Sequence, residues 1–222
     1  MGYSLPSYLS YCRAAAGTIL LDLRRDWYFQ LDPALEPTFS ALARGDEQAA
    51  DARHLRSLLE LGVLEVRENR PTRLEPATVS APIRSWRDEA GAGRASPLFI
   101  AEVWLAVRRA RRQVSAVPFE HVIDRLRRRK AACANPTVDN REALTTLASR
   151  YAGARRSTPI DAVCLQDSLA LLDVYARRGL FPSFVIGVTT APFAAHCWLQ
   201  TGELILNEAL DEAAQFLPIL VV

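Results

Sequence analysis

The spacing of apolar positions changes several times along the chain, and each change predicts an element. Residues 17–31, GTILLDLRRDWYFQL, hold two β-rich stretches on either side of the polar break Arg24-Arg25-Asp26, which predicts a hairpin. A helix follows over about 33–44 and stops at Gly45. From 49 to 61, Ala52, Leu55, Leu58 and Leu59 recur at helical spacing, and Gly62 ends that helix before a short apolar strand, Val63 to Val66. Three further helices are predicted over about 97–113, 118–131 and 139–153. The first aligns Leu98, Ala101, Trp104 and Leu105, which assigns Trp104 to the core. From Cys164 onward, Leu165, Leu169, Leu172 and Ala176 share one face of a helix that closes at Arg177-Arg178-Gly179 and Pro182. Residues 184–190, 194–200 and 203–207 then predict three strands, the last two joined by a turn around Thr201-Gly202.

These elements group into an α+β chain of two modules. Residues 1–70 predict a small winged-helix-like module of hairpin and helices. Residues 71–96, with their prolines, glycines and scattered charges, have the composition of a linker. Residues 97–222 predict a second domain in which helices precede an antiparallel sheet.

Half of the 222 residues are hydrophobic, enough for a packed core. A formal net charge of +2 gives no reason to expect a nucleic-acid partner, and the basic runs Arg108 to Arg112 and Arg125 to Lys130 are expected to be solvated helix faces. Leu98 to Val107 is interrupted by Glu102, so no run reaches the roughly 18–20 apolar residues of a membrane span. Met1 to Ser10 has neither a basic segment nor a long apolar one, and a cytoplasmic location is expected. Cysteines 12, 133, 164 and 197 lack paired spacing and are expected to be reduced thiols.

A thiol is nucleophilic as thiolate, and a helix N-terminus with a nearby imidazole lowers its pKa from about 8.5 into roughly the 3.5–7.5 range. Cys164 opens its helix. Of the three histidines, His54 lies within the helix at 49–61 and His121 within a basic helix, whereas His196 lies mid-strand in the sheet expected to pack on the Cys164 helix. A buried cysteine and a strand histidine are each commonly core residues. In this order and architecture, the two together point to Cys-His catalysis. Cys197 should face away from His196 and pack, which also argues against the two sharing a zinc ion. Cys12 and Cys133 have no comparable setting. A third group should accept from the other imidazole nitrogen, and the hairpin register decides which. A two-residue turn at Thr201-Gly202 sets His196 opposite Asn207, and a three-residue loop 201–203 sets it opposite Glu208. Backbone N–H groups at the helix start are the expected oxyanion donors. No glycine-rich phosphate loop is present, and no cofactor is expected in this chain.

The stretches CLQDSLALLDVYARRGLFPSFVIGV and PFAAHCWLQTGELILNE resemble the transglutaminase-like leader peptidases of lasso-peptide biosynthesis, the B proteins, over about 160–219. GTILLDLRRDWYFQLDPALEPTFSAL and LLELGVLE resemble that family's precursor-recognition module, so the chain is similar to the fused form. The resemblance implies a papain/transglutaminase-like C-terminal domain with Cys164 as nucleophile and His196 as base. Glu208 stands where the family usually has aspartate after its LN pair, with Asn207 as the competing third residue. Cys197 replaces a small residue of the usual HAW motif. The implied reaction is hydrolysis of one peptide bond in a lasso-peptide precursor, after which an asparagine-synthetase-like partner cyclase uses ATP to close the ring. The leader would add as a strand along Trp27, Tyr28, Phe29, Gln30 and Leu31. Residues 95–222 are expected to keep the chemistry without the recognition module. The same Cys-His pair would serve a transglutaminase-like acyl transferase; a non-catalytic precursor scaffold and a winged-helix DNA regulator are the other readings.

Overall fold

The computed structural model describes residues 2–68, 70–89, 93–132 and 140–222. The chain divides into two compact units, Met1–Thr78 and Val79–Val222. Both combine helices with antiparallel sheet, so the fold is α+β.

The first unit contains β1 (Gly2–Ser4), β2 (Leu9–Ala14), β3 (Gly17–Asp22), β4 (Trp27–Gln30), α1 (Glu36–Ala43), α2 (Ala52–Glu60) and β5 (Glu65–Arg67). The expected hairpin is β3–β4, with Asp22 facing Trp27. Its polar break is fixed by the Asp22 carboxylate, which accepts from the N–H groups of Arg24 (2.9 Å) and Arg25 (3.4 Å). β2 was not foreseen; it pairs along the other side of β3 and leaves β4 at the sheet edge. The strand after α2 pairs with β1 instead of joining the hairpin sheet. Asp51 caps α2 by accepting from the N–H groups of Arg53 and His54, each at 2.9 Å. Tyr11, Leu20, Phe39, Leu42 and Leu58 fill the core between sheet and helices.

Residues 71–96 are shared between the units. Ala77 donates its N–H to the Tyr11 carbonyl (2.9 Å) in the first unit, and Ile83 donates to the Glu203 carbonyl (3.0 Å) in the second. The second unit comprises β6 (Arg84–Ser85), α3 (Trp86–Glu89), α4 (Pro97–Ala116), α5 (Phe119–Ala132), α6 (Arg141–Arg155), α7 (Cys164–Ala176), β7 (Ser183–Thr190), β8 (Phe193–Thr201), β9 (Leu204–Ile205), α8 (Leu210–Ala213) and β10 (Leu217–Val221). Cys133 lies outside the described residues. Residues 84–89, within the stretch expected to be linker, are β6 and α3.

On α4 the helix is as expected but the buried face is not. Phe99, Val103, Val107 and Ala110 are buried, whereas Leu98 is 85% exposed and Trp104 lies half-buried beneath the Arg108 guanidinium, 4.6 Å from its ring centroid. Nearly every residue from 98 to 107 is apolar, so spacing alone does not choose between two equally apolar stripes. No helix among the described residues is long and apolar enough to cross a membrane.

The five-stranded sheet runs β10-β7-β8-β9-β6, with β6 and β9 the parallel pair. α7 buries Leu169, Ala170, Leu172 and Val174 and packs against β8 and α4. The Tyr175 hydroxyl anchors α7 to α6 by donating to the Leu144 carbonyl (2.7 Å). On the sheet, Gly187 faces His196 across β7–β8. A Cβ at 187 would lie 2.7 Å from the Phe216 Cβ and 2.8 Å from the Trp198 ring. Gly187→Ala should therefore cost about 1–3 kcal/mol by overpacking, read as a lower urea midpoint at unchanged slope. An unchanged midpoint would mean that the indole gives way freely.

Candidate active site

α7 starts without a side-chain cap, because its N-cap residue is Val163. Asp167, one turn on, reaches back and accepts from the Val163 N–H at 3.2 Å, as the carboxylate of a capping box does. Arg155 holds Asp167 in turn: its Nε donates to Oδ1 at 2.6 Å, and its terminal nitrogens donate to Thr158 Oγ1 (2.5 Å) and the Asp161 carbonyl (3.0 Å). One guanidinium thus ties the loop ahead of α7 to the helix's first turn and fixes where Cys164 sits.

The opposite wall is the edge of β8. The β8–β9 hairpin turns tightly at Gly202-Glu203, with Thr201 opposite Leu204 and Gln200 opposite Ile205. Gly202 takes the positive φ (52°) that such a turn needs. Neither expected register is formed. Paired residues end at Ile205, one further backbone bond runs from the Leu206 N–H to the Leu199 carbonyl (2.9 Å), and before the level of His196 other groups take over along the β8 edge. The Leu199 N–H donates to Asn207 Oδ1 (2.7 Å), and the Asn207 amide donates to Ser168 Oγ (2.9 Å). Ser168 donates to the Cys197 carbonyl (3.2 Å). Asn207 is thereby committed to joining α7 and β8. Glu208 follows it out of the strand and places its carboxylate 3.0 Å from His196 Nε2. Ser85 Oγ fixes the Glu208 backbone by donating to its carbonyl at 2.7 Å. Phe216 packs against the imidazole, with ring centroids 5.2 Å apart.

The electrostatics follow from these contacts. The Cys164 sulfur is hydrogen-bonded by the Cys197 thiol, the His196 imidazole and the Cys197 backbone N–H, which together overcome burial and hold its pKa down at about 4. His196 is pushed up to about 9 by its bonds to Cys164 and Glu208. Burial raises the Glu208 carboxyl, but hydrogen bonds to His196 and Glu212 outweigh it and leave the group below its usual range. The Cys197 thiol is driven well up by its bond to Cys164 and by burial, so it stays protonated as a donor. The pair is therefore thiolate and imidazolium, with Glu208 ionised behind the imidazolium.

A family model described as the transglutaminase-like superfamily matches residues 101–221. The chain belongs to the transglutaminase-like superfamily. That superfamily generally comprises cysteine-dependent enzymes. Comparisons with curated proteins and with solved structures give no match. In this transglutaminase-like chain a cleft of about 490 Å³ opens beside Cys164 and Glu208, walled by Trp86, Arg87, Tyr151 and Leu206.

Of the residues singled out in the sequence, Cys164, His196 and Glu208 converge, and Asn207 stands next to them in another role. Cys197 is buried, and hydrogen bonding between its thiol and Cys164 is among the causes that set the pKa of both. Buried Cys12 is pushed up to about 11. His54 lies 3.7 Å from Asp51 on α2, and His121 is on α5. On β4, Trp27 is 62% exposed and Tyr28 and Phe29 are half-buried, while Leu31 just beyond is in the core. Among the described strands β4 pairs with β3 alone. The sequence reading passed over Asp167, Arg155 and Ser85. The first had a signal, a carboxylate one turn into a helix with no polar N-cap; the other two act across the fold and had none.

Cys197→Ala removes one donor to the thiolate. Alkylation of Cys164 by iodoacetamide, followed on its tryptic peptide across pH, should show the midpoint rising from about 4 toward the ordinary thiol range. An unmoved midpoint would leave His196 and the Cys197 backbone N–H as the causes of the low value and remove the Cys197 thiol from the site.

Proposed function

We propose that this transglutaminase-like chain is a cysteine peptidase that binds the leader of a ribosomally made lasso-peptide precursor and hydrolyses it off. An asparagine-synthetase-like partner cyclase would then spend ATP to close the macrolactam ring, and this chain would need no cofactor. The observation that carries the reading is the convergence of Cys164, His196 and Glu208, with Cys164 and Glu208 lining a cleft of about 490 Å³.

The chemistry runs through these residues in order. The Cys164 thiolate attacks the scissile carbonyl, and the oxyanion takes hydrogen bonds from the unpaired N–H groups of the first turn of α7. Glu208 accepts from His196 Nε2, which leaves Nδ1 to deliver its proton to the departing amine. The thioester formed between Cys164 and the leader is then opened by water, with His196 as the base that accepts the water proton. The leader itself would add along the outer edge of β4, with main-chain hydrogen bonds for affinity and Trp27, Tyr28 and Phe29 for register, as the resemblance implies.

The pH dependence follows from the two shifts. Attack needs the thiolate, present above about 4, and departure needs the imidazolium, lost above about 9. A plot of kcat/KM against pH should be a broad bell between those limits, and Glu208→Gln should draw in its alkaline limb. A flat profile through pH 9 would exclude His196 as the acid.

The deciding test is mass spectrometry of a precursor peptide incubated with the cyclase and either wild-type chain or Cys164→Ala. Leader loss with wild type alone supports the peptidase. Cleavage by both removes Cys164 from the mechanism, cleavage by neither favours a scaffold, and transfer of the acyl group to an added amine favours an acyl transferase.

A further inference from the structure

The cleft beside Cys164 holds more positive charge than the chemistry uses. Arg155 is neutralised by Asp167 at 2.6 Å and serves the loop. Arg87 and Arg156 line the same cleft with exposed side chains, and among the described residues neither has a carboxylate within ion-pair distance. Glu208 is engaged with His196; the Arg87 charge is felt at Glu208 and at Glu212, and its guanidinium lies 5.9 Å from the Trp86 ring centroid, while Arg156 has no such neighbour among the described residues. Trp86, only 8% exposed, lines the same wall, and its indole N–H is buried with no hydrogen-bond partner among the described residues. A buried donor in that state is satisfied only when something else supplies the acceptor. Apart from Cys164 and Asn207, the rest of the wall is mostly apolar: Tyr151, Leu171 and Leu206, with Ala148 and Ala152 leaving the volume open. Two guanidinium groups with no carboxylate at ion-pair distance, set around a largely apolar cleft, form a site for an acceptor group with negative charge on a short aliphatic stem.

We propose that this cleft is a carboxylate subsite, so that the peptide substrate carries an acidic side chain, or its own terminal carboxylate, near the scissile bond, held by Arg87 and Arg156. The proposal rests on the reading of Cys164 as the nucleophile. Trp86 and Arg87 come from α3, upstream of the residues matched to the superfamily, so this wall is set by a part of the chain outside that match.

The test uses the full chain and quenched peptides that differ at one position, glutamate or glutamine, walked along both sides of the cleavage point, plus a pair ending in carboxylate or amide. At one position, or at the terminus, the charged peptide should be preferred in kcat/KM by about tenfold, the scale of one hydrogen bond to a charged group. Which member of the set shows the preference tells side chain from terminus. The ratio should fall close to one in Arg87→Gln and Arg156→Gln and be regained in Arg87→Lys. The same ratio, read as binding of labelled peptide to Cys164→Ala, reports on the subsite even if wild type cleaves none of the set, which separates failure of the subsite from failure of the peptidase reading. Cleavage without discrimination at any position, or a preference that survives in both glutamine variants, overturns the proposal.

Discussion

β8 continues for several residues past the point where β9 stops, and each buried backbone N–H or C=O it leaves facing that side must find a partner or forfeit about 1–3 kcal/mol. The site is built from the groups that meet this demand. Leu199 is satisfied by Leu206 and Asn207, the Cys197 carbonyl by Ser168, and the Cys197 N–H by the sulfur of Cys164. Ser168 and Cys164 are one helical turn apart, so the first two turns of α7 act as a substitute strand along that edge. A short β9 therefore does two things together: it docks the helix that carries the nucleophile, and it supplies that nucleophile with a fixed N–H.

The chain contains its own comparison for what burial does to a thiol. Cys12, shielded without donors, is pushed up to about 11; Cys164, shielded to a similar degree but hydrogen-bonded three ways, is held at about 4. The difference is made by directed donors, not by exposure. The same reasoning explains why Glu208 and not Asn207 stands behind the histidine. Asn207 offers an acceptor and a donor, which a strand edge and a hydroxyl both use, and the carboxylate that follows has only acceptors, which suits an imidazolium.

How much of this could be read from the sequence differs by element, for physical reasons. α7 and the strands after it were legible, because their apolar spacing is regular and their ends are marked by Gly179, Pro182 and Gly202. Cys164 and His196 stood out on that frame. The third residue did not, because it depends on a turn one residue away from either expected position, and a shift of one residue reverses which side chains face each other. The buried face of α4 was misjudged where both faces are apolar. β6 and α3 are six residues of mixed polarity among prolines, too short for any period to show, and the contact that matters, Ser85 to Glu208, joins positions that no local pattern connects.

That contact spans 123 residues. On a ribosome moving at roughly 5–20 residues per second, Ser85 would be exposed for about 6–25 s before Glu208 is made. Cys164 emerges in between, at a time when His196, Cys197 and the β8 edge do not yet exist. A thiol in that state has the pKa of any free cysteine and is mostly protonated at neutral pH. The nascent chain is therefore chemically quiet, and the reactive sulfur comes into being only as the last strands close on the helix.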